Sequence, residues 1–232
     1  MILCNPHNPI GKIWDKETLK KIGDLCAKHH VLVLSDEIHC DIVAPDKEYI
    51  PFASVSKTNL MNSITCIAPT KAFNLAGLQT SCIVVPNEIL RHKVNRGINT
   101  DEVAEPNSFA ITASITAFEK GKPWLEELRV YIENNKQKAK NYIHQEIPEC
   151  HVVPSEATYL LWIDCSKITS DSVALVEFIR QHTGLYLSDG YEYGENGESF
   201  IRMNVACPFK RLEDGLSRFK KGIELYKSKE LI

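Results

Sequence analysis

Three short segments of the 232-residue sequence set polar or reactive side chains where apolar runs end. Asn5-Pro6-His7-Asn8-Pro9-Ile10-Gly11 is a rigid turn, because two prolines fix φ and the glycine permits a sharp change of direction. Ser35-Asp36-Glu37-Ile38-His39 puts an acid directly after the apolar run Val31-Leu32-Val33-Leu34. The third, Ala68-Pro69-Thr70-Lys71-Ala72-Phe73-Asn74-Leu75-Ala76-Gly77, sets a lysine between an apolar strand and an apolar, glycine-bearing stretch. Partial burial there would favour the neutral amine that imine chemistry needs. Taken singly, each segment also reads as ordinary structure: a strand-to-helix connection, a turn acid, a solvated lysine.

The elements around these segments alternate strand and helix signals. Asp15 can cap a helix whose apolar positions Leu19, Ile22 and Leu25 or Cys26 recur at helical spacing. The run 31–34 suits a strand buried on both faces of a parallel sheet, and similar runs recur at 63–68 and 81–85. Such sheets place their ligand sites at strand ends. After Pro86 the texture changes. Helical patterns cover 107–120 and 123–145, the second opening with a proline in its first turn. Strand-like segments at 158–164, 185–188 and 200–205 then alternate with helical ones at 172–182 and 212–227. The expected architecture is α/β: part of a large domain with a mostly parallel sheet over residues 1–100, then a smaller α+β domain over 101–232.

Bulk properties narrow the function classes. With 44% hydrophobic and 25% charged residues, the composition is that of a globular protein. A net charge of −3 supplies no large basic field, which argues against a nucleic-acid partner. No apolar run reaches bilayer length and no secretory leader pattern opens the sequence, so neither membrane insertion nor secretion is expected. The cysteines Cys4, Cys26, Cys40, Cys66, Cys82, Cys150, Cys165 and Cys207 form no C-x-x-C pair, so reduced, mostly buried thiols in a cytoplasmic protein are expected, and no metal site. Gly190-Tyr191-Glu192-Tyr193-Gly194-Glu195-Asn196-Gly197 is glycine-rich, but its two acids would repel a phosphate. Tyr191 and Tyr193 read as packing residues.

In order, the patterns N-P-x-N-P-x-G, D-E-I-H and T-K-x-x-x-x-x-G, with Asp36 and Lys71 separated by 35 residues and a late Ile201-Arg202-Met203-Asn204, resemble fold-type-I pyridoxal-phosphate (PLP) enzymes of the class I/II aminotransferase group. The resemblance implies PLP held by Lys71 as a Schiff base, with the same amine later acting as general base at the substrate Cα. It implies that Asp36 pairs with the pyridine nitrogen, Asn8 with the cofactor's 3′-oxygen, and Thr70 with its phosphate. Arg202 would grip the substrate α-carboxylate with two parallel donors.

Two positions depart from the aminotransferase pattern. His39 stands where tyrosine is usual, and is counted among the cofactor contacts; Gln79 stands where a phosphate-binding arginine is usual, so that contact is not carried over. Both resemble the cystathionine β-lyase-like branch, which holds C–S lyases and a maltose-regulon modulator. That branch implies cystathionine or an S-substituted cysteine as substrate, β-elimination to pyruvate, ammonia and a thiol, and a homodimer. An aminotransferase and a catalytically inactive regulatory or binding module are the alternatives. The opening Met1-Ile2-Leu3-Cys4 reads as a buried strand, so an N-terminal half with the phosphate loop and a ring-stacking aromatic is expected to be missing.

Overall fold

Helix nucleation and strand pairing follow local chemistry closely in the computed structural model, which describes residues 1–229. Two compact units emerge. The first comprises Met1–His7, Lys12–Arg129 and Glu156–Thr158, and the second Asn8–Gly11, Val130–Ser155 and Tyr159 onward.

The first unit is built on a four-stranded sheet in the order β1 (Ile2–Cys4), β2 (Val33–Asp36), β3 (Ser63–Ile67), β4 (Cys82–Val84). β1, β2 and β3 run parallel, with Cys4, Asp36 and Cys66 in register, whereas β4 joins β3 antiparallel. The third apolar run therefore does form a strand, but an outer, exposed one: it closes the sheet by reversing direction and is not sandwiched. Helix α1 (Lys16–Lys28) starts where Asp15 accepts from the Thr18 amide at 2.8 Å. Leu19 and Cys26 on α1 pack with Leu3, Val33 and Phe52 into a small core. α2 (Lys57–Met61) and α3 (Pro69–Ala72) flank β3, and α4 (Glu88–Thr100) and α5 (Ser108–Lys120) follow. No sequence expectation covered α4, whose polar run carries only Asn87 as a cap signal. Among the described residues no helix is long and apolar enough to cross a membrane.

α6 (Lys122–Glu146) begins in the first unit and contributes its later turns to the second. The second unit's sheet is entirely antiparallel, in the order β5 (His151–Val152), β6 (Leu160–Asp164), β8 (Phe200–Asn204), β7 (Ser188–Asp189). The expected strand at 185–188 is shifted, because Leu187 turns into the core before the chain pairs at Ser188. Helices α7 (Ser172–Thr183) and α8 (Phe209–Lys229) cover this sheet. Leu212, Leu216, Phe219, Ile223 and Tyr226 recur at spacings of four and three along α8 and form one stripe, which meets Leu175 and Ile179 of α7 and Leu161, Ile163, Ile201 and Met203 of the sheet.

Candidate active site

The residues singled out in the sequence divide between the units: Asp36, His39, Thr70 and Lys71 lie in the first, Asn8 and Arg202 in the second.

Asp36 ends β2, flanked in register by Cys4 and Cys66. Alternation along the strand puts its side chain on the face shared with Ile2 and Leu34, opposite Leu3 and Val33. The Asn5 amide donates to the Asp36 carbonyl at 2.9 Å, extending the ladder one step beyond β1. Its carboxylate Oδ1 accepts from the Ile38 amide at 3.2 Å. No lysine, arginine or histidine among the described residues forms an ion pair with it. Burial, then the charge of Asp36, pushes the Cys4 thiol up, and burial, Asp36 and Glu37 do the same to Cys66. Protonated thiols, not cations, therefore stand beside the acid.

Glu37 anchors this strand end. It is 2% exposed; its Oε1 accepts from Ser35 Oγ at 2.8 Å and the Phe52 amide at 3.0 Å, and its Oε2 from the Tyr49 hydroxyl. Burial lifts its carboxyl above the ordinary range despite these hydrogen bonds, and burial followed by the charge of Glu37 pushes Tyr49 up as well. In the turn that follows, His39 is buried and its carbonyl accepts from the Ile42 amide at 3.0 Å. Cys40 is pushed up to about 12, first by burial and then by Asp41 and Glu37. Glu37 was visible in the sequence only as part of the D-E-I-H segment, and nothing local to Tyr49 announces a partner twelve residues back.

Lys71 lies in α3, immediately after β3. It is half-buried, next to buried Thr70, and its amine forms no ion pair or hydrogen bond with any described residue. The Thr70 carbonyl accepts from the Leu75 amide at 3.0 Å, and Phe73 stacks on Trp124 with centroids 5.8 Å apart, so the turn carrying the lysine is fixed on both sides. Gln79 sits in the left-handed region with φ 48° and is exposed. Asn5 is fully buried; its Nδ2 donates to the Ile50 carbonyl at 2.9 Å while its Oδ1 has no hydrogen-bond partner.

In the second unit, Arg202 stands on β8 opposite Trp162 of β6 and Ser188 of β7. One terminal nitrogen donates to Ser188 Oγ at 3.0 Å and the other to Asn8 Oδ1 at 3.4 Å, while the guanidinium carbon lies 5.0 Å from the centroid of the Tyr193 ring. All these partners are neutral, and no carboxylate pairs with Arg202 among the described residues. Burial raises Tyr159 and Tyr193, with the charge of Arg202 opposing the shift in both. Sequence reasoning named Asn8 and Arg202 separately but not their contact, and it missed Ser188, since nothing local links positions so far apart. Tyr193 packs edge-on against Trp162, with centroids 5.6 Å apart. Tyr191, expected to pack as well, is instead 59% exposed because its 3-10 turn points it outward. The glycines of this stretch serve packing: a Cβ on Gly190 would collide with the Gly197 carbonyl oxygen, and one on Gly197 with that of Gly190.

Residues 1–219 match the family model for "Aminotransferase class I and II". The chain is 41% identical over 219 residues to cystathionine beta-lyase PatB of Bacillus subtilis, covering 94% of this chain and 57% of that protein. It is 33% identical to Protein MalY of Escherichia coli, covering 94% of this chain and 55% of MalY. Among solved structures, cystalysin from Treponema denticola, which contains a pyridoxal 5′-phosphate cofactor, superimposes with a TM-score of 0.92 at 30% identity, covering 96% of this chain and 57% of that one. The PLP-bound C–S lyase from Staphylococcus hominis gives a TM-score of 0.86 at 32% identity, with the same coverage of 96% and 57%. The chain thus spans somewhat more than half the length of these relatives.

Proposed function

Since the chain belongs to the class I and II aminotransferase family, we propose that the protein is a PLP-dependent carbon–sulfur β-lyase, converting cystathionine or an S-substituted cysteine into pyruvate, ammonia and a thiol. The observation that carries the lyase reading is the 41% identity with a cystathionine beta-lyase across 94% of the chain. The residues present fit the cofactor. Asp36 is a carboxylate with no cationic partner, beside thiols kept protonated, so it suits a protonated pyridine nitrogen. Lys71 is a half-buried amine committed to no other group.

Bound PLP supplies an electron sink for the pair released when the Cα–H bond of the substrate breaks. The chain's own groups have five tasks. The Lys71 amine would hold the cofactor and take the Cα proton of the substrate. Asp36 holds a proton on the pyridine nitrogen. Asn8, whose Oδ1 is engaged by Arg202, offers its Nδ2 to the cofactor's 3′-oxygen. Thr70 serves the phosphate, and buried His39 backs the cofactor contacts from the turn after Asp36. Arg202 receives the substrate carboxylate, which would complete a guanidinium now bonded only to neutral oxygens. We also read the protein as a cytoplasmic homodimer with a small amino acid as its partner, a reading supported by the family alone.

An aminotransferase is the second reading, favoured by the family model's own description; both reactions begin with loss of the Cα proton. The full-length protein supplied with PLP and L-cystathionine should release pyruvate without added 2-oxo acid, and with L-aspartate and 2-oxoglutarate it should make little glutamate. Glutamate formation with no pyruvate would establish the aminotransferase. Borohydride reduction followed by peptide mapping should place the cofactor on Lys71, and label on another lysine would overturn that role.

A further inference from the structure

Two sulfurs in the second unit have no part in the chemistry above. Cys150 directly precedes β5 and Cys165 directly follows β6, and these strands pair antiparallel with His151 opposite Asp164. Continuing the register one step places Cys150 opposite Cys165. Facing residues of an antiparallel pair have Cα atoms about 4.5–5.5 Å apart, inside the range of roughly 4.4–6.8 Å that a disulfide spans. The Sγ atoms are 3.7 Å apart, in contact but not bonded. A side-chain rotation, without backbone rearrangement, is what separates contact from a bond.

We propose that Cys150 and Cys165 are an oxidisable pair, a modification site at which a small disulfide such as glutathione disulfide closes a bond that staples β5 to the end of β6.

The two thiols differ in access. Cys165 is fully buried and Cys150 is 5% exposed. Hydrogen bonding to Cys150, then burial, holds the Cys165 thiol well above its usual range, so Cys150 reacts first. β5 is a two-residue strand at the sheet edge, held on one side only, so its local opening is cheaper than opening of any inner strand. In the open state the Cys150 sulfur attacks glutathione disulfide, forms a mixed disulfide and expels one glutathione thiolate, which takes up the Cys150 proton. The Cys165 sulfur then attacks Cys150 Sγ; the new bond forms as the second glutathione leaves with the remaining proton. Two thiols lose two electrons and two protons in total, and one glutathione disulfide becomes two glutathione molecules. The enclosed loop contains the 153–159 connection and both strands, so the bond tightens the edge of the sheet whose inner strand carries Arg202.

The test uses the native, reduced protein treated with a graded series of glutathione redox buffers and then digested without reduction. The expected result is a peptide pair joined through Cys150 and Cys165, loss of two hydrogens in mass, and a higher thermal midpoint than that of the reduced protein. A Cys165→Ala variant should instead accumulate glutathione on Cys150, a species that does not build up in wild type. Recovery of both residues as free thiols while exposed Cys82 carries glutathione would overturn the proposal, as would a Cys150–Cys165 bond that forms only after denaturant is added. If Cys165→Ala does not fold, the wild-type peptide map decides alone. None of these readouts involves PLP or turnover, so the result stands whatever reaction the protein catalyses.

Discussion

The two sheets bury their side chains in opposite ways. In the second unit, the antiparallel sheet turns Leu161, Ile163, Ile201 and Met203 into a core shared with three helices, and this core runs without a break to Tyr226 at the far end of α8. In the first, the parallel strands bury Leu3 and Val33 against α1 but leave Ile2 74% and Leu34 36% exposed on the other face. In this unit the packed face is the one that meets α1. Asp36 ends β2 and Lys71 follows β3 in the first unit, whereas Arg202 sits on an inner strand of the second. Asn5, whose Oδ1 has no hydrogen-bond partner, stands just past the end of β1 in the first unit.

The largest effect should come from the dense core. Phe219→Ala removes a fully buried ring and should cost about 3–5 kcal/mol of stability, read by urea denaturation and by lost hydrogen-exchange protection in β6 and β8. A loss below about 1 kcal/mol would mean that the second unit is no better packed than the first.

Next is Asp36→Asn, which keeps the shape of the strand end but removes its charge. Turnover should fall about a hundredfold, or ~2.7 kcal/mol of barrier, with a change of less than about 1 kcal/mol in unfolding free energy. Equal damage to stability would reassign Asp36 to structure.

A pH series should split the units. Glu37 in the first has a folded pKa raised by burial, so its contribution is complete below its unfolded value of about 4.3 and is lost as pH rises through the folded one. Lys136 in the second, 5% exposed and donating to Ser155 Oγ at 2.8 Å, is lowered by burial, so the folded state binds fewer protons than the unfolded and stability climbs as pH rises toward about 10.4. Thermal midpoints of Glu37→Gln and Lys136→Met against wild type should diverge in these opposite directions; parallel curves would remove the contrast. The smallest effect is expected at Leu34→Ser, within about 0.5 kcal/mol, because that side chain already meets solvent. A cost above about 2 kcal/mol would show the face to be covered in solution.

Local signals were the legible ones. Asp15, the α7 boundary at Ser172 and the α8 stripe could be read from spacing because capping and amphipathic burial act within a few residues. Asp36 and Lys71 were legible as ends of apolar runs, and the ordered motifs carried the family. Hidden from the sequence were features decided by distant partners: the reversed direction of β4, the Leu187 turn that delays β7, the Glu37–Tyr49 clamp and the Arg202–Asn8 contact across 194 residues. A run such as Ser81-Cys82-Ile83-Val84-Val85 states that a strand will form, but direction is chosen by the connection and the neighbour.

Because β8 is an inner strand held by β6 on one side and β7 on the other, its alternation admits one phase only. Insertion or deletion of a single residue within it would swing Arg202 into the core and bring Ile201 and Met203 to the surface. Between Asp189 and Phe200 the fixed points are the Gly190–Gly197 contact and the seat of Tyr193 against Trp162 and Arg202. Length variation that the protein can absorb is therefore to be sought in residues 194–196, and directed libraries that vary length there can reshape the surroundings of the arginine while its own position stays fixed.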